Sequence, residues 1–334
     1  MKQIMFFKIR NLLIIFLLYP FFSWGTEELK GYLLDQYEGA VCNSGAPASY
    51  YLKKQDPKKW VLFMQPGGAA QSDEGYRKRS PFLKASLLKD MGQKTFKAYN
   101  IFDTFIANNY STIYLPYCSS DVFSGNHIRE IDGKKVFFHG KIIFESLLKE
   151  FESEFQNADD LIIGGSSAGS ISVGMNLKKI ADLNNPNIRF IHDGYWLDET
   201  EIEPRKKISK APRLLYTIPT IPNDCVDWSD CYPSKGRLSK YNFKDAFIVW
   251  TVDDHFRRSE NDELMMKSIK EDINYFGGGI SLSKETPLLM GNRESNHVIL
   301  FEPSFYQQVD GLKIKDIFEN WLNKTNGQKI LINF

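Results

Sequence analysis

The 334-residue sequence predicts an α/β fold built on a mainly parallel sheet with helices on both faces, and three observations lead there. Short, wholly apolar runs bounded by turn residues recur along the chain, as strands buried on both faces require. Amphipathic stretches with helical spacing lie between them. After the N-terminus there is no composition shift, Gly/Ser/Pro-rich linker or internal repeat, so residues 26–334 read as one large domain carrying cap or loop insertions.

Residues 1–25 are an address rather than a structural element. A basic start, an apolar run from Leu12 to Phe22 and the small residues Ser23 and Gly25 at −3 and −1 form a secretory signal peptide cleaved near Gly25. Cleavage there leaves 334 − 25 = 309 residues. The run falls short of the ~20 apolar residues that a membrane span needs, and Pro20 interrupts it. No later stretch is long and apolar enough to span. The expectation is a secreted, extracellular protein, or a periplasmic one in a bacterial host.

Trp60–Met64 is the first buried strand, closed by Gln65-Pro66-Gly67-Gly68, and Thr112–Pro116 is the second. Residues 140–156 place Ile142, Ile143, Leu147, Leu148, Phe151 and Phe155 on one helical face. Leu161–Ile163 is a third strand, followed by a helix from Ala168 to Ala181. Ile188–Ile191 and Ala246–Val252 are the fourth and fifth strands, and a last amphipathic helix runs from Ile314 to Leu322. Segments 70–110 and 200–240 lack this rhythm and read as a cap or loops over the sheet edge.

Lys and Arg number 42 against 41 Asp and Glu, a net charge of +1. Such a balance lacks the positive field that nucleic acid selects. The 25 Phe, 16 Tyr and 6 Trp allow a large core. Four cysteines in an exported chain predict two disulfides, with three pairings open. Cys225 and Cys231 are close enough to staple one loop, which leaves Cys42 and Cys118 to join the N-terminal region to a strand end. No C-x-x-C pair or ligand-spaced His favours a metal instead.

The sharpest chemical signal is Gly165-Ser166-Ser167-Ala168-Gly169, a G-x-S-x-G motif between a buried strand and a helix. That is the setting of a nucleophile elbow, a sharp turn that lifts the serine hydroxyl above the sheet and leaves no room for side chains at the two glycines. Ser167 is the candidate nucleophile, and the N–H of Ala168 at the helix start would face a developing oxyanion. The alternative is a Gly-rich packing turn or phosphate loop, although neither G-x-G-x-x-G nor a Walker pattern fits. In α/β-hydrolases the triad order is Ser, then Asp or Glu, then His. Of five histidines, this order excludes His127 and His139, and His192 leaves no room for an acid-bearing strand. His255 and His297 remain, and His297 sits in a late polar loop before Val298-Ile299-Leu300. The strand 246–252 ends in Asp253-Asp254-His255, so either carboxylate could orient His297. As a metal site that tripeptide has no partner motif. Gly67-Gly68-Ala69 after the first strand can add oxyanion donors from the backbone.

Cys42-Asn43-Ser44-Gly45-Ala46-Pro47-Ala48-Ser49-Tyr50-Tyr51-Leu52, Tyr117-Cys118-Ser119-Ser120-Asp121-Val122-Phe123-Ser124-Gly125, the elbow and Asp193-Gly194-Tyr195-Trp196-Leu197-Asp198 follow one another in the chain. They resemble four blocks of the pectin acetylesterase/Notum family of extracellular serine esterases, over most of residues 40–300. The second block is the most specific, close to Y-C-S-S-D-x-[WF]-x-G. The resemblance implies an α/β-hydrolase-like fold, a Ser-Asp-His triad and no cofactor. Carried over by motif, Ser167 is the nucleophile, Asp254 the acid and His297 the base, with Gly68, Ala69 and Ala168 as oxyanion donors. The chain departs from the family at Gln65-Pro66-Gly67-Gly68-Ala69-Ala70, where the usual E-G-G-G-W-C or E-G-G-W-Y-C has an acid, a Trp and a Cys. Backbone donors survive those changes, whereas the acyl-pocket wall does not.

The implied substrate is an acylated carbohydrate or another ester. The first reading is O-deacetylation of a polysaccharide or glycan, through a small acyl pocket and an open groove. A Notum-like lipid deacylase with a deep apolar pocket is the second. A secreted binding protein that kept the fold and lost catalysis is the third.

Overall fold

The structure is a computed structural model that describes residues 27–197, 215–226, 229–251, 262–282, 298–300, 303–309, 312–324 and 331–333. Residues 1–26, where the sequence predicts a signal peptide, and Asp253, Asp254, His255 and His297 lie outside the described residues. The strands of the N-terminal half are β1 (Glu28–Leu33), β2 (Ser49–Lys53), β3 (Asp56–Met64), β4 (Thr95–Lys97), β5 (Tyr110–Leu115), a hairpin of β6 (His127–Ile131) and β7 (Lys134–Phe138), and β8 (Asp160–Ser166). Those of the C-terminal half are β9 (Ile188–Asp193), β10 (Ala246–Thr251), β11 (Gly277–Leu282), a short ladder of β12 (Gln308–Val309) with β13 (Leu312–Lys313), and β14 (Leu331–Asn333). Among the described residues ten strands form one sheet in the order β14-β11-β10-β9-β8-β3-β5-β2-β1-β4. Every pairing from β14 to β5 is parallel, and β2, β1 and β4 add an antiparallel edge. The mainly parallel sheet of an α/β-hydrolase-like fold is therefore present.

The helices are α1 (Asp73–Lys78), α2 (Ile101–Ala107), α3 (Gly140–Glu150), α4 (Glu152–Gln156), α5 (Ala168–Met175), α6 (Leu177–Ala181), α7 (Lys235–Ser239), α8 (Asp262–Phe276) and α9 (Ile314–Leu322). They cover both faces, and β3 shows why. Successive strand residues point to opposite sides. Trp60, Leu62 and Met64 join one core layer with residues of α3, α5 and α8, while Val61 and Phe63 join the other with residues of α2 and α9. In α9 the buried residues Ile314, Ile317, Phe318, Trp321 and Leu322 recur at helical spacing, as the sequence pattern predicts.

Tertiary contacts overrode local pattern in three places. The helix expected over 140–156 breaks at Phe151, which packs with Phe155 against Trp60 at ring separations of 5.6 and 6.0 Å. The helix expected over 168–181 breaks at Asn176, whose side-chain amide donates to the carbonyls of Phe123 and Ser172. Segment 70–110 is only partly an insertion over the sheet edge. Its second half supplies β4, paired with β1, and α2, whose Phe102 and Phe105 are fully buried. The disulfides are Cys42–Cys118 and Cys225–Cys231.

β3 is where the sheet changes direction. From it the chain first adds β5 on one side, then returns to place β8, β9 and β10 on the other. The carboxyl ends of β3 and β8 thus flank a topological switch point, the crevice where α/β sheets bind ligands.

Candidate active site

The elbow occupies that crevice. β8 ends at Ser166 and α5 begins at Ala168, so Ser167 alone makes the turn. Its backbone lies at φ 48° and ψ −109°, a region that a residue with a side chain enters at a cost of about 1–3 kcal/mol. Two hydrogen bonds hold it there: the Ser167 N–H donates to the Asp193 carbonyl (2.8 Å), and its own carbonyl accepts from the Ile171 N–H (3.0 Å). A Cβ at Gly165 or Gly169 would overlap the Met64 carbonyl oxygen at the end of β3. The steric argument for both glycines made from sequence therefore has its physical partner. α5 is buried along its whole length, and Ala168 at its first position is among the N–H groups with no acceptor inside the helix.

The loop after β3 starts beside the elbow, since Met64 pairs with Gly165 in parallel register. Gly68 sits at φ 61°, which glycine adopts without strain. Ala69 bridges Asp121 and the Ala70 N–H donates to the Ser120 carbonyl (2.9 Å), so the Y-C-S-S-D block buttresses this loop. Gln65 stands where the family has an acid, and its side-chain oxygen accepts the Tyr117 N–H at 2.8 Å. A carboxamide oxygen performs that acceptor role as a carboxylate would. Burial lifts the Asp121 carboxyl to about 6, against the opposing hydrogen bonds from the Ser119 hydroxyl and the N–H groups of Gly140, Gly125 and Phe123.

Gly68 and Ala69 follow β3, and Ser167 and Ala168 follow β8, so all four lie beyond the carboxyl ends of two adjacent parallel strands, whereas Asp254 and His297 fall outside the described residues. Reasoning from sequence gave no role to Asp193, although it opens one of the four family-like blocks. Fully buried, its carboxylate accepts the Ser166 hydroxyl (2.6 Å) and the N–H groups of Ile299 (2.9 Å) and Leu300 (3.0 Å), while its carbonyl holds Ser167. One residue thus ties the elbow to the short segment 298–300. His192, set aside as a base on chain order, is buried beside it, and desolvation holds its imidazole down to about 3. Ser170 donates its hydroxyl proton to the Tyr195 carbonyl (2.7 Å), so the His192 Nδ1–H donates to Ser170 Oγ (3.0 Å).

Residues 26–228 match the family model of pectinacetylesterase. The chain belongs to the pectinacetylesterase family. Relatives of this family member include the palmitoleoyl-protein carboxylesterase notum2 of Xenopus laevis, 24% identical over 320 residues that cover 84% of this chain and 65% of that one. The palmitoleoyl-protein carboxylesterase NOTUM of Homo sapiens is 26% identical over 224 residues, covering 63% and 41%. That of Drosophila melanogaster is 25% identical over 327 residues, covering 86% and 48%. The chain spans less than two thirds of the length of these relatives. Family membership agrees with the resemblance read from the four sequence blocks.

Proposed function

We propose that this chain is a secreted serine carboxylesterase that removes O-acyl groups, acetyl in the first instance, from a polysaccharide or glycan. The observation that carries the reading is the backbone of Ser167, held at positive φ between β8 and α5 at the switch point beside β3. Strain of this kind persists only where surrounding structure imposes it, and here it presents a hydroxyl at a helix N-terminus.

In the proposed reaction His297, oriented by Asp254, takes the Ser167 proton as Oγ attacks the ester carbonyl carbon. The oxyanion is received by the N–H groups of Gly68, Ala69 and Ala168. His297 then protonates the departing alcohol, and water attacks the acyl-enzyme, giving up a proton to His297 and releasing the acid and Ser167. The Asp193 tie supports the assignment of the base: Val298 follows His297 directly, and successive Cα atoms are 3.8 Å apart, so His297 is covalently next to a segment anchored on the elbow. The four cysteines, all in disulfides, support export to an oxidising compartment, as does the leader sequence.

A second reading, deacylation of a lipid-modified protein, is favoured by the printed activity of the relatives, which are palmitoleoyl-protein carboxylesterases. Hydrolysis of nitrophenyl esters of rising chain length tests both. The glycan reading expects acetate to be preferred and Ser167→Ala to be inert. A preference for chains of eight carbons or more would move the lipid reading first, and inertness of the folded wild type towards every ester would reject esterase chemistry.

A further inference from the structure

We propose that Arg79 is a positioning residue of the oxyanion hole, an inference that rests on the esterase reading of Ser167. Arg79 lies just past the end of α1 and reaches back across the loop after β3. Its Nη2 donates to the Gly67 carbonyl at 2.7 Å and to the Gly68 carbonyl at 3.3 Å. Nε donates to Ser120 Oγ at 2.8 Å, and the guanidinium lies 5.6 Å from the centre of the Tyr117 ring. Ser120 in turn donates to the Leu83 carbonyl at 3.1 Å and receives the Ala70 N–H on its own carbonyl. Arginine, loop and Y-C-S-S-D block are thereby one hydrogen-bonded unit.

The consequence follows from peptide geometry. The Gly67 carbonyl shares a peptide plane with the Gly68 N–H, and the Gly68 carbonyl shares one with the Ala69 N–H. All peptide bonds among the described residues are trans, so within each plane the two groups point in opposite directions. A cation that gathers both carbonyls on one side turns both N–H groups to the other. It also polarises the two amides, which strengthens them as donors. Gly68 at positive φ has few contacts of its own, for a Cβ added there would meet nothing within 4 Å. Arg79 supplies the restraint that packing does not. Lysine, a point charge with one nitrogen and no planar fork, cannot hold the hydroxyl from one nitrogen and the two carbonyls from another as Arg79 does.

The test compares Arg79→Ala and Arg79→Lys with the wild type in the full, oxidised chain. Steady-state hydrolysis of nitrophenyl acetate is measured beside inhibition by a trifluoromethyl ketone, whose serine-bound hemiketal oxyanion reports on the hole. Loosening two donors without removing either lowers kcat about 10- to 100-fold for Arg79→Ala, below the roughly 100- to 1000-fold for outright loss of a single donor. KM stays within about threefold, ketone affinity falls in step with kcat/KM, and Arg79→Lys loses less in the same direction. Unchanged kcat with a raised KM would make Arg79 a substrate-binding group and overturn the proposal. A lowered unfolding midpoint with kcat and ketone affinity intact would leave it a structural residue only. Should Arg79→Ala fail to fold, Arg79→Lys decides alone, and wild-type kcat and ketone affinity in that variant would reject the proposal. A wild type that neither hydrolyses the ester nor binds the ketone would instead reject the esterase reading.

Discussion

The two ends of the β8–β9 pair each hold a carboxylate, and they satisfy it in different ways. At the amino end Asp160 accepts from Arg189 Nε and Nη2 at 2.8 and 2.5 Å and from the Tyr110 hydroxyl at 2.5 Å. Arg189 also donates to the carbonyls of Trp321 and Leu322 and lies over the Trp321 ring, so this ion pair welds the end of α9 to the sheet. At the carboxyl end Asp193 accepts a hydroxyl and two backbone N–H groups among its partners. The first arrangement joins a helix to strands; the second joins two strand-following segments, the elbow and residues 298–300. The contrast teaches where this fold separates stability from chemistry. The Arg189–Asp160 weld lies away from the switch point, and the strained serine is held there by the backbone carbonyl of Asp193.

The strongest way to break the comparison is Ser167→Ala. Loss of a triad nucleophile costs on the order of a million-fold in turnover. The unfolding free energy should move by no more than about 1.5 kcal/mol, the net worth of one hydroxyl hydrogen bond. Kinetics beside denaturant titration checks both halves. At the other end Arg189→Met leaves the Asp160 carboxylate without its cation. Removing one partner of a buried pair costs about 3–5 kcal/mol, and the partial exposure of Asp160 places this variant towards the lower value. Its turnover per folded molecule should equal the wild type, as read from kcat normalised to active-site titration.

Asp193→Asn sharpens the contrast. In either orientation the carboxamide NH2 faces a backbone N–H of Ile299 or Leu300, which costs about 1–3 kcal/mol. Turnover falls further than stability would suggest, about 10- to 100-fold, because a shift near 1 Å in a catalytic group has that effect. The measurement is kcat at a temperature where the variant remains folded.

The last effect is a pH slope. His192 has its folded pKa lowered to about 3, against about 6.5 when unfolded. Between those values the unfolded chain binds the proton and the folded one does not. The contribution of His192 is therefore present above pH 6.5 and lost on acidification, at a limiting slope of about 1.4 kcal/mol per pH unit. Asp121, raised to about 6, acts with the opposite sign: its contribution is full below about pH 4 and lost as pH rises through 6. The two oppose each other between pH 4 and 6, so the clean readout is the difference between wild type and His192→Asn. That difference should narrow steadily as pH falls from 6.5 to 4; a constant difference would place His192 among groups that do not titrate with unfolding.

Legibility in the sequence followed locality. Trp60–Met64 and Leu161–Ile163 were recognisable because strands buried on both faces are apolar throughout, and the elbow because its G-x-S-x-G pattern stands between such a strand and a helix, although the contact that demands both glycines is the Met64 carbonyl on another strand. The break at Asn176 was not, since its cause is a carbonyl of Phe123, 53 residues away. β11 opens on Gly277-Gly278-Gly279, which carries no strand signal; a Cβ at Gly279 would overlap the Ile248 carbonyl of the neighbouring strand. Gly68, Ala69, Ser167 and Ala168 could be read as candidate site residues from motif alone. Arg79 and Asp193 could not, because they act on backbone groups that only the fold brings to them.

The most direct test of the account is mass-spectrometric mapping of a fluorophosphonate adduct on the folded, disulfide-intact protein. The account predicts a single adduct on Ser167, absent from Ser167→Ala and suppressed in His297→Ala. No adduct, or one on Ser166 or Ser170 instead, would contradict it.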